Sequence, residues 1–339
     1  MEPVAPGTTV TLRDVAAASG VSLSTASRAL DERGTASRSA AAEHVRKVAE
    51  ELGYRRNSFA SSLRRGETRT LGVLVPRLSD TVMALMFEEV ERAASDRGYF
   101  AMVATSGDDP DDERRAAETL LDRNVDGLIL ATARLDDELP KLLRQRKVAH
   151  ALVLRTDGVS PSALGDDEVG GYLATRHLID LGHRDIAVVT GPSFTSTGTA
   201  RLAGARRAME EAGITPRNEW LLAAGYGIEN GFAAGETLLG GSPRPTAVFA
   251  ANDNLAMGII AAAHRCQAIV GRDLALVGYN DIPLSSRLPT PLSSVRVPLD
   301  QIAGNAIDLI ANPGKEPSIR KSMPTLIPRE SSGPPQRGA

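Results

Sequence analysis

The sequence predicts an all-α head followed by an α/β body of two doubly wound parallel-sheet subdomains. Three observations predict it. Apolar residues recur only at helical spacing in residues 8–53. From Leu71 onward, short β-rich runs alternate with amphipathic stretches of about ten to fifteen residues, the pattern of right-handed βαβ units and parallel sheets. The chain of 339 residues is also too long for one small module and suits two or three domains.

The head reads as three short helices. Leu12, Val15 and Ala16 form the apolar stripe of the first, which Gly20 ends. The second starts near Ser22 and runs through Ala26, Ala29 and Leu30. The third starts near Ala40, carries Val45, Val48, Ala49 and Leu52, and stops at Gly53. The next stretch, YRRNSFASSLRRGETRT (54–70), holds five arginines and few core residues; it reads as a linker or a helix that forms only against a partner. The strand candidates of the body are LGVLV (71–75), FAMVA (100–104), GLILA (127–131), VAHALVL (148–154), IAVVT (186–190), LLAA (221–224), AVFAA (247–251) and LALVGY (274–279). They divide into a first half near 70–164 and a second near 165–295. The tail SSGPPQRGA (331–339) is polar and rich in Pro and Gly, and is expected to be disordered.

Composition excludes several classes. With 42% hydrophobic and 24% charged residues the chain is globular. No apolar run approaches the roughly 18–20 residues that span a bilayer, and MEPVAPGTTVTLRD lacks the basic-then-apolar layout of a secretory signal. A lone Cys266 forms neither a disulfide nor a cysteine zinc site, so the expected compartment is the reducing cytoplasm, with no membrane partner. Residues 1–69 carry 11 Lys+Arg against 8 Asp+Glu, and the remainder 28 against 34. A mildly basic head on an acidic body suits a polyanion-binding piece attached to something else.

TLRDVAAASGVSLSTASRAL (11–30) has the layout of a helix-turn-helix. Gly20 permits the sharp turn, Val21 can plug the angle between the helices, and Ser22 is a good N-cap. Leu23, Ser24, Ser27 and Arg28 then face outward, while Thr25, Ala26, Ala29 and Leu30 face the packing side. In such a motif the second helix enters the major groove of duplex DNA, N-terminal residues first. Arg28 can reach guanine or phosphate, and Ser24 and Ser27 can donate to phosphates or base edges. The competing reading is a three-helix bundle with no nucleic-acid role.

In the body, ligands of open parallel sheets bind beyond the carboxyl ends of the strands. The polar residues that follow strand candidates are Asp80, Arg155, Arg201, Tyr226, Asn252, Asp253, Asn280 and Asp281. Their convergence from both halves on one crevice is how a binding cleft is built.

The segments TLRDVAAASGVSLSTASRALD, VRKVAEELGYRRN, TLGVLVP, GYLATRHLIDLGHRDIAVVTGP, RLAGARRAMEEAG, PTAVFAANDNLAMG and LVGYNDIPLSSRLPTPLSSVRVP, taken in order over residues 8–331, resemble the lac repressor/galactose repressor family. The resemblance implies a DNA-binding head at 8–56, a hinge at 57–69 and a core like that of periplasmic sugar-binding proteins. Its two lobes would be 70–164 with a return segment 296–324, and 165–295 with 325–332; 333–339 would be a disordered tail. It also implies a dimer on a pseudopalindromic double-stranded operator, controlled by a small-molecule effector without a cofactor. Thr11, Ser22, Leu23, Ser24, Thr25, Ser27 and Arg28 fall at DNA-contacting positions of the head. Asn57, Ala60, Leu63 and Arg64 fall in the register of the hinge. There Leu63 would wedge into the minor groove at a central step, with arginines against flanking phosphates; the other reading is an ordinary basic linker. In the cleft, the resemblance marks Arg201, Asn252, Asp253 and Asn280 as effector contacts and Tyr226 as a ring that stacks on sugar. For Asp253, binding and simple helix capping both stand. Arg201 is expected to bind effector because an unpaired arginine between two lobes is costly to leave dry.

Departures from the family carry information. Leu23 and Ser24 replace the bidentate side chains common at the main base-reading positions, and the loop DERGTASRSA (31–40) is about one residue longer than usual. Asp80-Thr81-Val82-Met83 replaces an aromatic segment, Arg155 stands where sugar-binding members often have an acid, and Val297 replaces a polar residue. A base gained and an acid lost point to an anionic or phosphorylated effector. The C-terminus lacks the leucine heptads that would make a tetramer.

Catalytic readings find little. There is no HExxH, P-loop or GxSxG, and GYGIENG (225–231) misses the dinucleotide fingerprint by one residue. The five histidines show no metal spacing, and His183, after the helix-ending Gly182, reads as a C-cap. A non-enzymatic regulator is expected. A transporter's solute-binding protein and a nucleotide-dependent α/β enzyme are the disfavoured alternatives.

Overall fold

The computed structural model describes residues 10–30, 39–54, 67–314 and 318–335, which fall into two compact units, 1–68 and 69–339. The first unit holds α1 (Leu12–Ala18), α2 (Leu23–Ala29) and α3 (Ala40–Glu51). Val15, Ala16, Ala26, Ala29, Ala42, Val45 and Ala49 close its small core, with Val21 packed at the edge. Ser22 caps α2 by accepting from Thr25 N, and Ser39 caps α3 by accepting from Ala42 N. Gly20 and Gly53 take φ of +64°, the left-handed turn each helix end needs.

The second unit contains two six-stranded sheets. The first is built from β1 (Thr70–Val75), α4 (Thr81–Ser95), β2 (Phe100–Thr105), α5 (Pro110–Leu121), β3 (Gly127–Leu130), α6 (Glu138–Gln145), β4 (His150–Val153) and β5 (Ser162–Gly165). The chain then passes through α7 (Asp167–Asp180) into β6 (Ile186–Thr190), α8 (Ser196–Glu211), β7 (Leu221–Ala223), α9 (Ile228–Gly240), β8 (Ala247–Ala250), α10 (Asp253–Arg265), β9 (Ala275–Asn280) and β10 (Ser293–Arg296). It returns as α11 (Leu299–Ala311) and β11 (Ile319–Ser322) to the first sheet, and ends with β12 (Thr325–Ile327) in the second. The orders are β11-β5-β4-β3-β1-β2 and β12-β10-β9-β8-β6-β7. Every described pairing is parallel except β10 with β12.

Each sheet is buried on both faces, which is why its central strands read as unbroken apolar runs. In β1, Leu71, Val73 and Val75 meet Met86 and Val90 of α4 and Ile302 of α11, whereas Leu74 faces Leu120 and Leu143. In β6, Val188 faces the α7/α8 side and Val189 the α9/α10 side. Glycines allow the closest helix contacts. A Cβ on Gly204 would lie 1.9 Å from Glu168 O, and one on Gly171 would lie 2.1 Å from Arg201 O, so α7 and α8 touch backbone to backbone.

Four strands escape the sequence reading: β5 (SALG), β10 (SSVR), β11 (IRKS) and β12 (TLI). They are three or four residues long, and most carry polar or charged residues. Membership in a sheet comes from their neighbours, not from their own pattern. The tail also differs from expectation at its start. Ser331 and Ser332 are buried, Ser331 Oγ donates to Leu276 O, and Gly333 O takes a hydrogen bond from His183 Nε2. His183 accordingly has a larger role than a C-cap. Its backbone N–H closes α7 onto Leu178 O, while its ring joins Thr246 to Gly333. No described helix is long and apolar enough to cross a membrane.

Candidate functional sites

In the head, α2 presents Leu23, Ser24 and Arg28 to solvent; Leu23 is 43% exposed. Thr25 and Ser27 are half-buried. Ser22 Oγ lies 2.9 Å from Ser24 Oγ and 2.8 Å from Thr25 Oγ1, a hydroxyl cluster at the N-terminus of α2, where unpaired N–H groups favour an anion such as phosphate. Arg28 Nε donates to Ser24 O at 3.3 Å and leaves its terminal nitrogens to solvent. Thr11 gives its hydroxyl proton to Asp14, at 2.7 Å. Asn57, Ala60, Leu63 and Arg64 lie outside the described residues.

In the second unit, strand order reverses between β1 and β3 and again between β6 and β8, the crevices where ligands of open parallel sheets bind. Six of the seven predicted effector residues line a single cavity there: Asp80, Arg155, Arg201, Tyr226, Asn252 and Asn280. Val82, Met83, Leu154 and Thr197 complete the lining. Val82 and Met83 supply an aliphatic wall in place of aromatic rings. The cavity holds about 40 Å³, enough for a few waters and well below the ~300–1,000 Å³ of ligand pockets. The two halves meet beside it. Leu135 N donates to Phe194 O at 2.9 Å, Thr156 N to Ser196 Oγ at 3.0 Å, and Arg134 lies 3.8 Å above the Phe194 ring.

The lining residues divide by how far the protein satisfies them. Asn252 is used at both ends: Oδ1 accepts from Leu255 N as the cap of α10, and Nδ2 donates to Tyr226 O. Tyr226 Oη lies 2.7 Å from Thr197 Oγ1. Arg201 is not the unpaired arginine the sequence reading assumed. Its Nε donates to Asp167 Oδ1 at 2.8 Å, Nη1 donates to Ala251 O at 2.5 Å, and the Tyr279 ring lies 3.7 Å from Cζ. Burial opposes its charge, but Asp167 and the neighbouring tyrosines outweigh that and hold the guanidinium protonated. Arg201 is thus locked in place at the cavity wall. Asp80 caps α4 by accepting from Val82 N, and burial pushes its carboxyl above the ordinary range.

Asp253 is the exception. It does not line the cavity. It accepts from Ile282 N, Ser285 Oγ and Ser294 Oγ, all at 2.6–2.9 Å, in a fully buried network. Burial, against these bonds, raises its pKa to about 6. The helix-capping role belongs to its neighbour Asn252. Sequence reasoning missed Asp167, Thr197 and Tyr279. Asp167 begins the helix after an unrecognised strand, and Tyr279 reads as an ordinary strand residue. Backbone strain gathers at the same place: Leu154, Asn280 and Asp281 take φ of +63°, +100° and +55°, each costing about 1–3 kcal/mol for a non-glycine residue.

Comparison with known proteins fits this geometry. Residues 11–57 match the family described as "Bacterial regulatory proteins, lacI family", and residues 175–332 match "Periplasmic binding protein-like domain". The "Ribose operon repressor" of Escherichia coli (strain K12) is 31% identical, covering 94% of this chain and 97% of that protein. The chain belongs to the lacI family of bacterial regulatory proteins. Within the lacI family, the "HTH-type transcriptional repressor PurR" of Proteus mirabilis (strain HI4320) is 32% identical, over 95% of this chain and 96% of that one. The solved lac repressor bound to ONPG in the repressed state is 25% identical, covers 96% of this chain and all of its own, and superposes with a TM-score of 0.86. The fold is that of the lac repressor: a helix-turn-helix head and a periplasmic-binding-protein-like core.

Proposed function

We propose that this chain is a non-enzymatic transcriptional repressor that acts as a homodimer on a pseudopalindromic DNA operator and is controlled by a small molecule held in the interlobe cavity. The observation that carries the proposal is the convergence of six polar residues, from the strand ends of both sheets, on one small cavity in a chain that also bears an exposed, capped second helix. In this reading the head (8–56) presents Ser22, Leu23, Ser24, Thr25, Ser27 and Arg28 to the major groove, with Thr11 on the backbone. The hinge (57–69) presents Asn57, Ala60, Leu63 and Arg64 to the minor groove. The first lobe is 70–164 with 296–324, and the second is 165–295 with 325–332. A ligand wedged between Asp80 and Arg155 on one side and Arg201, Tyr226, Asn252 and Asn280 on the other shifts the balance between shut and open lobes, and the hinge passes that shift to the head. The names of the relatives support the reading: they are repressors, one of a ribose operon, and the lac repressor was solved bound to ONPG in the repressed state.

Selection from a random duplex pool with the purified chain tests it. An inverted repeat is expected to emerge, with affinity that falls steeply as salt rises. Loss of every preference over random competitor would overturn the reading.

A further inference from the structure

We infer that the cavity is built for an acid: a small hydroxylated molecule whose carboxylate or phosphate oxygens are gripped by Arg155. This rests on the cavity being the effector site, and it names the chemistry that site selects.

Arg155 is 7% exposed and lines the cavity from the end of β4. Among the described residues its guanidinium has no hydrogen bond and no ion pair. Its one attractive contact among them is a cation–π approach to the neutral Tyr226 ring, whose centroid lies 5.5 Å from Cζ and which supplies no counter-charge. The acids that interact electrostatically with it are engaged elsewhere: Asp108 pairs with Arg77, Asp80 caps α4 through Val82 N, and Glu113 accepts from Thr132 Oγ1. Arg201, the second arginine on the wall, repels it and is itself paired with Asp167 and hydrogen-bonded to Ala251 O. Arginine keeps its charge in proteins. A buried charge without a partner is costly by several kcal/mol, and removing that cost needs an opposite charge supplied at the cavity. Burial pulls the Arg155 pKa down, in the direction expected of a desolvated, unpaired cation.

The geometry supports an occupant. Leu154, just before Arg155, is held at φ +63°, which turns the chain out of β4 and delivers Arg155 to the cavity. The planar fork of a guanidinium matches two oxygens of a carboxylate or a phosphate. Asp80 accepts and Asn280 both donates and accepts, and Asn280 makes no side-chain hydrogen bond among the described residues, so hydroxyls beside the acid group have partners. A neutral sugar would leave the Arg155 charge uncompensated. An aliphatic hydroxy acid also suits Val82 and Met83, which offer no ring for stacking.

The test has two arms on the full-length chain. The first is thermal melting without added ligand. Arg155→Met and Arg155→Gln remove an uncompensated charge, and at least one is expected to melt about 2–4 °C above wild type. If both melt below wild type, Arg155 is a structural strut and the inference falls. The second arm melts wild type and both variants with inorganic phosphate, D-gluconate or D-glucose, against sodium chloride of equal ionic strength. The expected result is that phosphate or gluconate stabilises wild type by about 3 °C or more and that both variants lose the response. Gluconate alone identifies a carboxylate and phosphate alone a phosphoryl group. Stabilisation by glucose but by neither anion overturns the acid and leaves the effector cavity standing. Equal anion responses in wild type and variants overturn the role of Arg155. No response to any of the three overturns both the acid and the cavity as an effector site.

Discussion

Glu113 offers a quantitative test of how this core is assembled. It lies on α5 at 4% exposure, and Thr132 Oγ1 donates to its carboxylate. Burial, and then the nearby charge of Asp137, push its pKa from 4.5 to about 7, against the pull of Thr132, Arg134 and Arg155. Between those two pH values the folded chain holds a proton that the unfolded chain has lost. Stability must therefore fall as pH rises through this window: the contribution is complete below the unfolded pKa and gone above about 7. Moving the pKa from 4.5 to about 7, at ~1.4 kcal/mol per pH unit, comes to roughly 3–4 kcal/mol. Glu113→Gln keeps an acceptor for Thr132 and cannot ionise. Urea unfolding of both chains, followed by circular dichroism, is the assay. At about pH 4.5 the two should unfold at nearly the same urea concentration, and at about pH 8 the variant should be more stable by roughly 3–4 kcal/mol. A gap that is the same at both pH values would refute the burial argument.

Three further outcomes follow from the geometry. Ser22→Ala removes the cap that accepts from Thr25 N and should cost the head ~1 kcal/mol, seen as faster amide exchange in α1–α3 of the intact chain; unchanged exchange would contradict the capping role. Asp253→Asn turns an amide donor toward at least one of Ile282 N, Ser285 Oγ and Ser294 Oγ. It should destabilise the core by about 1–3 kcal/mol, and a melting temperature equal to wild type would mean the network is slack. Gly204→Ala places a methyl group against Glu168 O and should cost about 1–3 kcal/mol or more, whereas Ala→Gly changes elsewhere on the exposed face of α8 should cost less.

Much of this was legible in the sequence, for reasons that differ by element. Ser22, Gly20 and the spacing of Val15, Ala26 and Val45 announce the head because caps, turns and small cores depend on local residues. The central strands are legible because a sheet covered on both faces requires unbroken apolar runs. The short strands β5, β10, β11 and β12, which close one end of each sheet, were not, since hydrogen bonds from their neighbours hold them and their own side chains carry little pattern. The cleft was readable as a list, because residues after strand ends must gather there. Its internal state was not. Nothing in the local sequence around Arg201 shows that Asp167, 34 positions away, already pairs with it, nor that Asp253 turns from the cavity toward Ser285 and Ser294. The same long-range pairing leaves Arg155 without a partner, which a sequence departure could suggest but only the folded arrangement could locate.

The most direct measurement of the central claim is the affinity of the full-length chain for its selected duplex, followed by fluorescence anisotropy with and without a small molecule that stabilises the core. A cleft coupled to the head predicts that the ligand changes operator affinity by about 5–150-fold and that Arg201→Ala abolishes the change. An operator affinity that stays the same at saturating ligand would contradict it.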